Sequence, residues 1–397
     1  MTESTTPLDG VVVLALEAAV SAPFATRQLA DLGATVIKIE RRDGGDFARH
    51  YDAAIDGSSA FFVWANRAKQ SLALDIKEPV DRDTFDRLVG SADVFIQNLS
   101  PAAASRLGVT AEQLRELHPT LIACDISGYG QHGPRTNDKA YDLTVQAEGG
   151  AIALTGTPEA PCKIGFSVSD IAAAMYALSS ILAALFRKER TGQGATIDVS
   201  MLECMAEWTA APTYAAVGIG TVPPRSGHRH TMIAPYGIFP LADGTEVLIA
   251  VQNDRDWAAF THYVLGDDTL TNDERFSNNG DRIANVVELE AVVNTRLSSI
   301  SAEEVRDRLR RGEVAHGSVL GPLQLWEHEQ LRAREHFMTV TTPTGSAETY
   351  RPPFRIDGLP LPDAVVPALD RHDSALIERL LADARDDRGP RDSTETN

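Results

Sequence analysis

The sequence predicts an α/β protein built on a parallel sheet, and three observations carry that expectation. Continuous apolar segments of strand length recur through the first half with helical segments between them, the pattern of strands buried on both faces. The helical segments carry start and stop signals: Pro23 opens one where a missing N–H costs nothing, Gly33 closes it, and Thr110 with Gln113 forms a capping box. After Val222 the texture changes to hairpin signals and shorter helices, which predicts a smaller α+β domain.

In chain order, residues 11–16, 35–40, 71–75 and 93–97 read as strands, with a helix over 79–89 between the third and fourth. The short helix from Thr110 stops at His118-Pro119 and gives way to a strand over 120–127. A helix over 171–188 runs through Thr191-Gly192 into a strand at 195–199. Beyond Pro223-Pro224, residues 236–240 and 246–251 flank Ala242-Asp243-Gly244, a hairpin signature. A later helix starts at Ser301, with Glu304 placed for a second capping box; residues 323–337 read as a helical return path, and a last helix is expected near 374–384. The expected division is a large domain over 1–222, a small one over 223–330, a return segment over 331–385 and a tail over 386–397, which lacks an apolar anchor and is expected to be disordered.

Thirty-seven basic against 56 acidic side chains give a net charge of −19, with 43% hydrophobic and 23% charged residues. This is a globular composition and excludes collagen-like, disulfide-stapled and disordered classes. The acidity speaks against a nucleic-acid partner, which needs a basic face. Any anionic substrate must find a local basic pocket within a screening length of about 8 Å. Cys124, Cys162 and Cys204 stand far apart without CxxC spacing, so neither a metal site nor a disulfide framework is expected, and a reducing cytoplasm is the expected setting. Residues 11–22 lack the basic flank of a secretory signal. The charge-free run 171–186 falls short of the roughly 20 residues a bilayer requires, so it reads as a buried helix and no membrane partner is expected.

Few residues suggest chemistry. Gly128, Gly130 and Gly133 match G-x-G-x-x-G after a strand, but Pro134 and the polar run after it do not open the helix that a pyrophosphate needs, so a tight glycine loop is expected. Lys38, Arg41 and Arg42 place three cations at the end of the second strand, where open parallel sheets bind ligands, and Arg41 and Arg42 are placed to meet a phosphate. Asp170 precedes the long apolar helix. It reads either as an N-cap or as a nucleophile held ionised by the helix terminus, a carboxylate that needs no base to activate it. Lys139, Tyr141 and Asp142 form a polar cluster that is a source of partners. His228-Arg229-His230 lacks the carboxylates of a metal site, and Gly165–Ser169 lacks the last glycine of a nucleophile elbow.

These residues carry a family resemblance. The run Pro7-Leu8-Asp9-Gly10 through Leu14, then Ala22-Pro23, Leu29–Ala34 and Val36–Glu40, resembles the opening of the class III CoA-transferases. Asn66-Arg67, Gln97-Asn98, Gly128-Tyr129-Gly130, Arg190–Gly194, Pro235-Tyr236-Gly237 and Asp243-Gly244 continue it in order along nearly the whole chain. The resemblance implies a Rossmann-like CoA-binding large domain joined from both ends of the chain, and an interlocked homodimer. It implies that Asp170 attacks an acyl-CoA thioester, forming an aspartyl anhydride and then an aspartyl-CoA thioester from which CoA passes to a carboxylic acid. It places CoA contacts on Arg41, Leu74, Asn98, Arg106 and Lys139, and active-site lining on Tyr141, Asp142 and Val20. It implies CoA as a substrate, with no permanently bound cofactor or metal.

Two departures narrow the expectation. Formyl-CoA transferases carry glutamine where this chain has Val20, and a glycine run absent around Ser226-Gly227-His228, so formate and oxalate are disfavoured and a short dicarboxylate such as succinate is preferred. Racemases of the family place a histidine at the position of Tyr141; a tyrosine phenol, ordinarily titrating near ~10, holds its proton too tightly for that work. Transfer is therefore expected over racemisation or isomerisation, and over a non-catalytic CoA-binding protein. His228 and Arg229 are candidates to meet a distal carboxylate, or a surface loop.

Overall fold

The computed structural model describes residues 6–222 and 224–386. Six strands, β1 (Val12–Leu16), β2 (Thr35–Glu40), β3 (Lys69–Ala73), β4 (Val94–Gln97), β5 (Ile122–Ser127) and β6 (Ala195–Ser200), form one parallel sheet in the order β3-β2-β1-β4-β5-β6. The central strands are largely apolar on both faces because both faces are covered. Val13 and Ala15 of β1 pack towards one layer, and Leu14 packs with Ile37 and Phe95 towards the other.

The first layer holds α1 (Ser21–Asp31) against the later helix of residues Val168–Thr191; the connecting helices between are α2 (Ala60–Asn66), α3 (Pro79–Ser91), α4 (Pro101–Leu107), α5 (Ala111–Leu117), α6 (Asp142–Glu148) and α7 (Ala151–Leu154). The long helix is thus α8, followed by α9 (Met201–Trp208) and α10 (Ala210–Ile219). Helices α3, α4 and α5 cover the second face together with a C-terminal helix, Ser374–Asp386, whose Leu376, Ile377 and Leu380 are buried there. The segment before that helix runs along β3, where the Ser71 N–H donates to the Arg371 carbonyl and the Ala73 N–H to the Asp370 carboxylate. The open edge of the sheet is thereby covered.

Helix α8 runs 24 residues, longer than its charge-free run, and by length and composition it is apolar enough to cross a membrane. Its small residues decide its place: Ala172, Ala173, Ala174, Ala177 and Ile181 are buried against α1 and the sheet. The capping box of Thr110 and Gln113 forms as the spacing predicts. The second one closes only halfway. Ser301 caps the helix Ala302–Arg311, but the Glu304 carboxylate turns to accept from Arg308 Nε at 2.7 Å instead of the cap N–H.

By packing, the described chain forms two units. The larger comprises residues up to Ala151, Ile164–Pro212 and the chain from Gln330 on; the second comprises Ile152–Lys163 and Thr213–Glu329. Sequence alone assigns 152–163 to the large domain. In the structure this segment joins the second unit because the Arg225 guanidinium donates to the carbonyls of Ala153, Thr157 and Pro158, and the Gly227 N–H donates to Gly156 O. The second unit carries the expected hairpin, β7 (Tyr236–Pro240) with β8 (Glu246–Ala250), plus β9 (Ala315–Ser318), over a core around Trp257, Phe260 and Phe276.

The return helix over 323–337 is not formed. Two short helices, Pro322–Trp326 and Glu329–Ala333, are followed by a left-handed Glu335 (φ 49°) and a hairpin of β10 (Phe337–Thr342) and β11 (Gly345–Tyr350). From Met338 the burial alternates residue by residue, a strand period that overrides the helical spacing before it. The expected disordered tail from residue 387 onward lies outside the described residues.

Candidate active site

The strand order reverses between β1 and β4, and the carboxyl ends flanking such a switch point form a crevice. Asn98, just past β4, spans it. Its Oδ1 accepts the Ala18 N–H at 2.9 Å, while its Nδ2 donates to Ala18 O at 2.8 Å and Ser21 Oγ at 3.1 Å. With both lone-pair and amide sides used, the loop from β1 to α1 is fixed and Ser21 is placed on the first turn of α1.

That turn lies beside the first turn of α8, whose partnership with α1 extends to a Gln28–Met175 contact farther along. Helix α8 starts at Val168, so Asp170 lies inside the first turn and is not its cap. Asp142 does the capping: its Oδ1 accepts the Ser169 N–H at 2.8 Å and its Oδ2 accepts from Gln146 at 2.8 Å. Burial pushes the Asp170 carboxyl up to about 7, the Asp142 charge adds to the rise, and the Ser21 hydroxyl pulls against both.

This overturns the expectation of a carboxylate held ionised by its helix terminus. A shift from 3.8 to about 7 corresponds to roughly 4 kcal/mol, whereas a terminal dipole supplies ~0.3–1 kcal/mol in most settings. Desolvation and a like charge win. The result is a poorly solvated, basic carboxylate, which suits attack on an electrophilic carbonyl.

Tyr51 joins this group. Its phenol is raised by burial and then by the charges of Asp46, Asp170 and Tyr141. Tyr51 also belongs to a run of ring contacts, with Phe47 at 5.6 Å and Phe61 at 5.5 Å, and all three rings are substantially exposed. Tyr141 is the exposed residue before α6, and Val20 is buried before α1. Gly128 lets the 135–142 segment return to the sheet, since a Cβ there would lie 2.1 Å from the Ala140 Cβ.

A cavity of about 880 Å³ opens at the ends of β1, β2 and β3, floored by Leu16, Ile39, Leu74, Ile76 and Leu99, with Arg41 at its rim. Its size is that of a nucleotide-scale ligand site. Exposed Arg41 donates to Gly45 O at 3.0 Å and 3.2 Å. Arg42, also on the cavity, is engaged with a carboxylate: its fork grips Asp81 at 2.6 Å and 2.8 Å, whereas Arg41 has no ion-pair partner among the described residues. Arg106 on α4 and Lys139 before α6 are exposed and, among the described residues, have no ion-pair partner. His228 lies in the second unit, where its Nδ1 accepts the Ile238 N–H at 3.1 Å.

Lys38 departs most from the expected basic strand end. It is fully buried, bonding Asp46 Oδ2 at 2.9 Å, Glu17 O at 3.2 Å and Glu17 Oε1 at 3.4 Å, and Lys69 adds a second ammonium at 2.7 Å from Glu17. Burial works against these charges, yet the opposite partners raise Lys38 and lower Glu17. At neighbouring Glu40 burial raises the carboxyl, but the Arg49 guanidinium, the Lys38 charge and the Ser71 hydroxyl overcome it and hold Glu40 at about 2. Sequence reasoning missed Ser21, Asp46, Tyr51 and this network. A signal existed: a lysine or glutamate inside strands covered on both faces must be paired.

The family model described as CoA-transferase family III matches residues 8–373. The chain is 34% identical to an acetyl-CoA:oxalate CoA-transferase of Acetobacter aceti, over 96% of this chain and 99% of that protein. It is 32% identical to a succinate–glutarate CoA-transferase of Agrobacterium fabrum, over 94% and 96%. Among solved structures, a CAIB/BAIF family protein from Brucella suis superposes with a TM-score of 0.83 at 33% identity, covering 95% of this chain and all of that one.

Proposed function

This chain belongs to CoA-transferase family III and is a CoA-transferase, and from that premise we propose that Asp170 carries the exchange between an acyl-CoA donor and a short dicarboxylic acid. The observation that carries the reading is the Asp170 carboxyl, raised to about 7 where two helix N-termini meet beside the crevice. Its anion attacks the thioester carbonyl, the C–S bond breaks, and CoA leaves as the thiolate with the bonding electron pair. The thiolate then attacks the aspartyl carbonyl of the mixed anhydride, releasing the donor acid and leaving CoA on Asp170. The acceptor carboxylate attacks this thioester, and the freed thiolate takes the new acyl group, restoring the Asp170 carboxylate. Each step trades one activated acyl bond for another, so the thioester energy survives while water is kept out.

Arg41, Arg106 and Lys139 are assigned to the CoA phosphates and Leu74 to the apolar floor; the reading is supported by Arg41 and Leu74 lining the cavity and by the exposure of Arg106 and Lys139. Asn98 contributes at the same crevice. Tyr141, Asp142 and Val20 are assigned to the lining around the reacting carboxylate. A dicarboxylate acceptor is supported by the names of both relatives. Oxalate, disfavoured by Val20, returns as a candidate because one relative is named for it.

A homodimer, interlocked as in the family, is the assembly proposed. It is supported by α10, an apolar helix with no buried residue, whose Tyr214 and Val217 are 71% and 78% exposed. A cytoplasmic setting is supported by the three free cysteines. The test is mass spectrometry of protein mixed with succinyl-, glutaryl- and oxalyl-CoA. A CoA adduct on the peptide holding Asp170 is expected, together with loss of turnover in Asp170→Ala. Absence of any adduct, with an Asp170→Ala variant as active as wild type, overturns the assignment.

A further inference from the structure

Ala19 adopts a left-handed backbone, φ 63°, a conformation that alanine rarely takes, two residues before Ser21. Asn98 holds Ala18 and Ser21 on either side but does not touch Ala19. The Ala19 N–H is held by Asp46 Oδ1 at 3.1 Å. The same oxygen accepts the Ala48 N–H at 2.9 Å, capping the short 3-10 helix Phe47–His50 that delivers Tyr51. The second oxygen takes Lys38 at 2.9 Å, and the Asp46 N–H donates to Glu40 Oε2 at 2.9 Å. Asp46 is 4% exposed although it lines the cavity together with Gly45 and Phe47. Each of its polar atoms already bonds a protein group, the carbonyl through the Arg49 N–H.

One buried carboxylate therefore ties together the two segments flanking Asp170: the strained turn that leads into Ser21, and the helix that ends at Tyr51. We propose that Asp46 is a positioning residue, clamping Ala19 in its left-handed conformation so that Ser21 and Tyr51 are held against the reacting carboxylate. The proposal rests on the Asp170 reading above. Lys38 anchors the clamp, since it fixes Asp46 and the Glu17 carbonyl at once. Asp46→Asn keeps one acceptor oxygen where two are used, so its amide N–H₂ faces either the Lys38 ammonium or the Ala19 and Ala48 N–H groups, and the clamp loosens on that side.

The experiment compares wild type, Asp46→Asn, Ala19→Gly and the double variant for kcat, KM for the thioester and unfolding midpoint. Asp46→Asn is expected to lose at least 30-fold in kcat with KM within 3-fold. Adding Ala19→Gly, which accepts a positive φ without strain, is expected to recover at least 5-fold of the lost kcat although it adds no contact. A kcat within 3-fold of wild type, an equal loss through KM, or no recovery by glycine overturns the proposal. If Asp46→Asn does not fold, amide exchange of wild type decides: Ala19 N–H protection approaching that of Leu14 supports the clamp, and loop-like exchange overturns it. Wild type inactive towards every acid tested defeats the CoA-transfer reading separately, because the exchange measurement still reports on the clamp.

Discussion

Replacing Asp170 by asparagine removes a charge while keeping the shape, and the fold becomes sturdier for it above neutral pH. The carboxyl is raised from 3.8 to about 7 by burial and then by Asp142, so folding penalises its charged form. Below about pH 3.8 the group is protonated in both states and there is no penalty. The penalty grows between about 4 and 7 and is complete above the folded value. Three units correspond to about 4 kcal/mol. The carboxyl keeps part of its surface in water and salt trims the Asp142 repulsion, which leaves roughly 2 kcal/mol. Urea unfolding of wild type and Asp170→Asn at pH 8, 6 and 4 reads this as a midpoint gap on the order of half a molar at pH 8, shrinking towards zero at pH 4. Equal midpoints at pH 8, or a gap that does not close on acidification, would refute the placement of Asp170 in a desolvated site. Because the variant loses turnover while gaining stability, the pair separates a working carboxylate from a structural one.

Since the anion attacks, kcat/KM rises with pH through about 7; Asp142→Asn removes the second-largest cause of the shift, and the ascending limb in a pH–rate profile moves to lower pH. Arg41→Ala raises KM for the thioester about 10-fold with kcat nearly unchanged, the loss shrinking in high salt, as steady-state kinetics at two ionic strengths would show. Lys38→Met removes the ion-pair partner of the buried Asp46 carboxylate, leaves Glu17 with Lys69 alone and costs about 3–5 kcal/mol, read as a large fall in melting temperature; a near-neutral result would remove the network from the account.

Strands were legible where both faces are covered and the run is continuously apolar, as in Val12–Leu16, which needs no tertiary information to recognise. The capping box at Thr110 was legible because its partners lie three residues apart. Asp170 could be singled out as a carboxylate at a helix start, but its character could not. The charge beside it comes from Asp142 and the hydroxyl from Ser21, and only the fold brings those together. Lys38 misled for the same reason, because a cation at a strand end looks solvated until Glu17 and Asp46 close around it. The missing return helix is a different kind of failure: two short helices form, but a left-handed Glu335 follows them and the chain then alternates as a strand.

The covering of β3 by residues near Asp370 and Arg371 has a consequence for how the chain is made. During synthesis all six strands of the parallel sheet leave the ribosome long before that cover exists, and the apolar face of α3 waits equally long for Leu376, Ile377 and Leu380. A nascent chain therefore carries a bare strand edge beside a greasy surface for most of its translation, the combination that recruits chaperones and invites mispairing between neighbouring chains. Loss of only the final helix would leave every residue of the crevice encoded and the sheet beneath it unsealed.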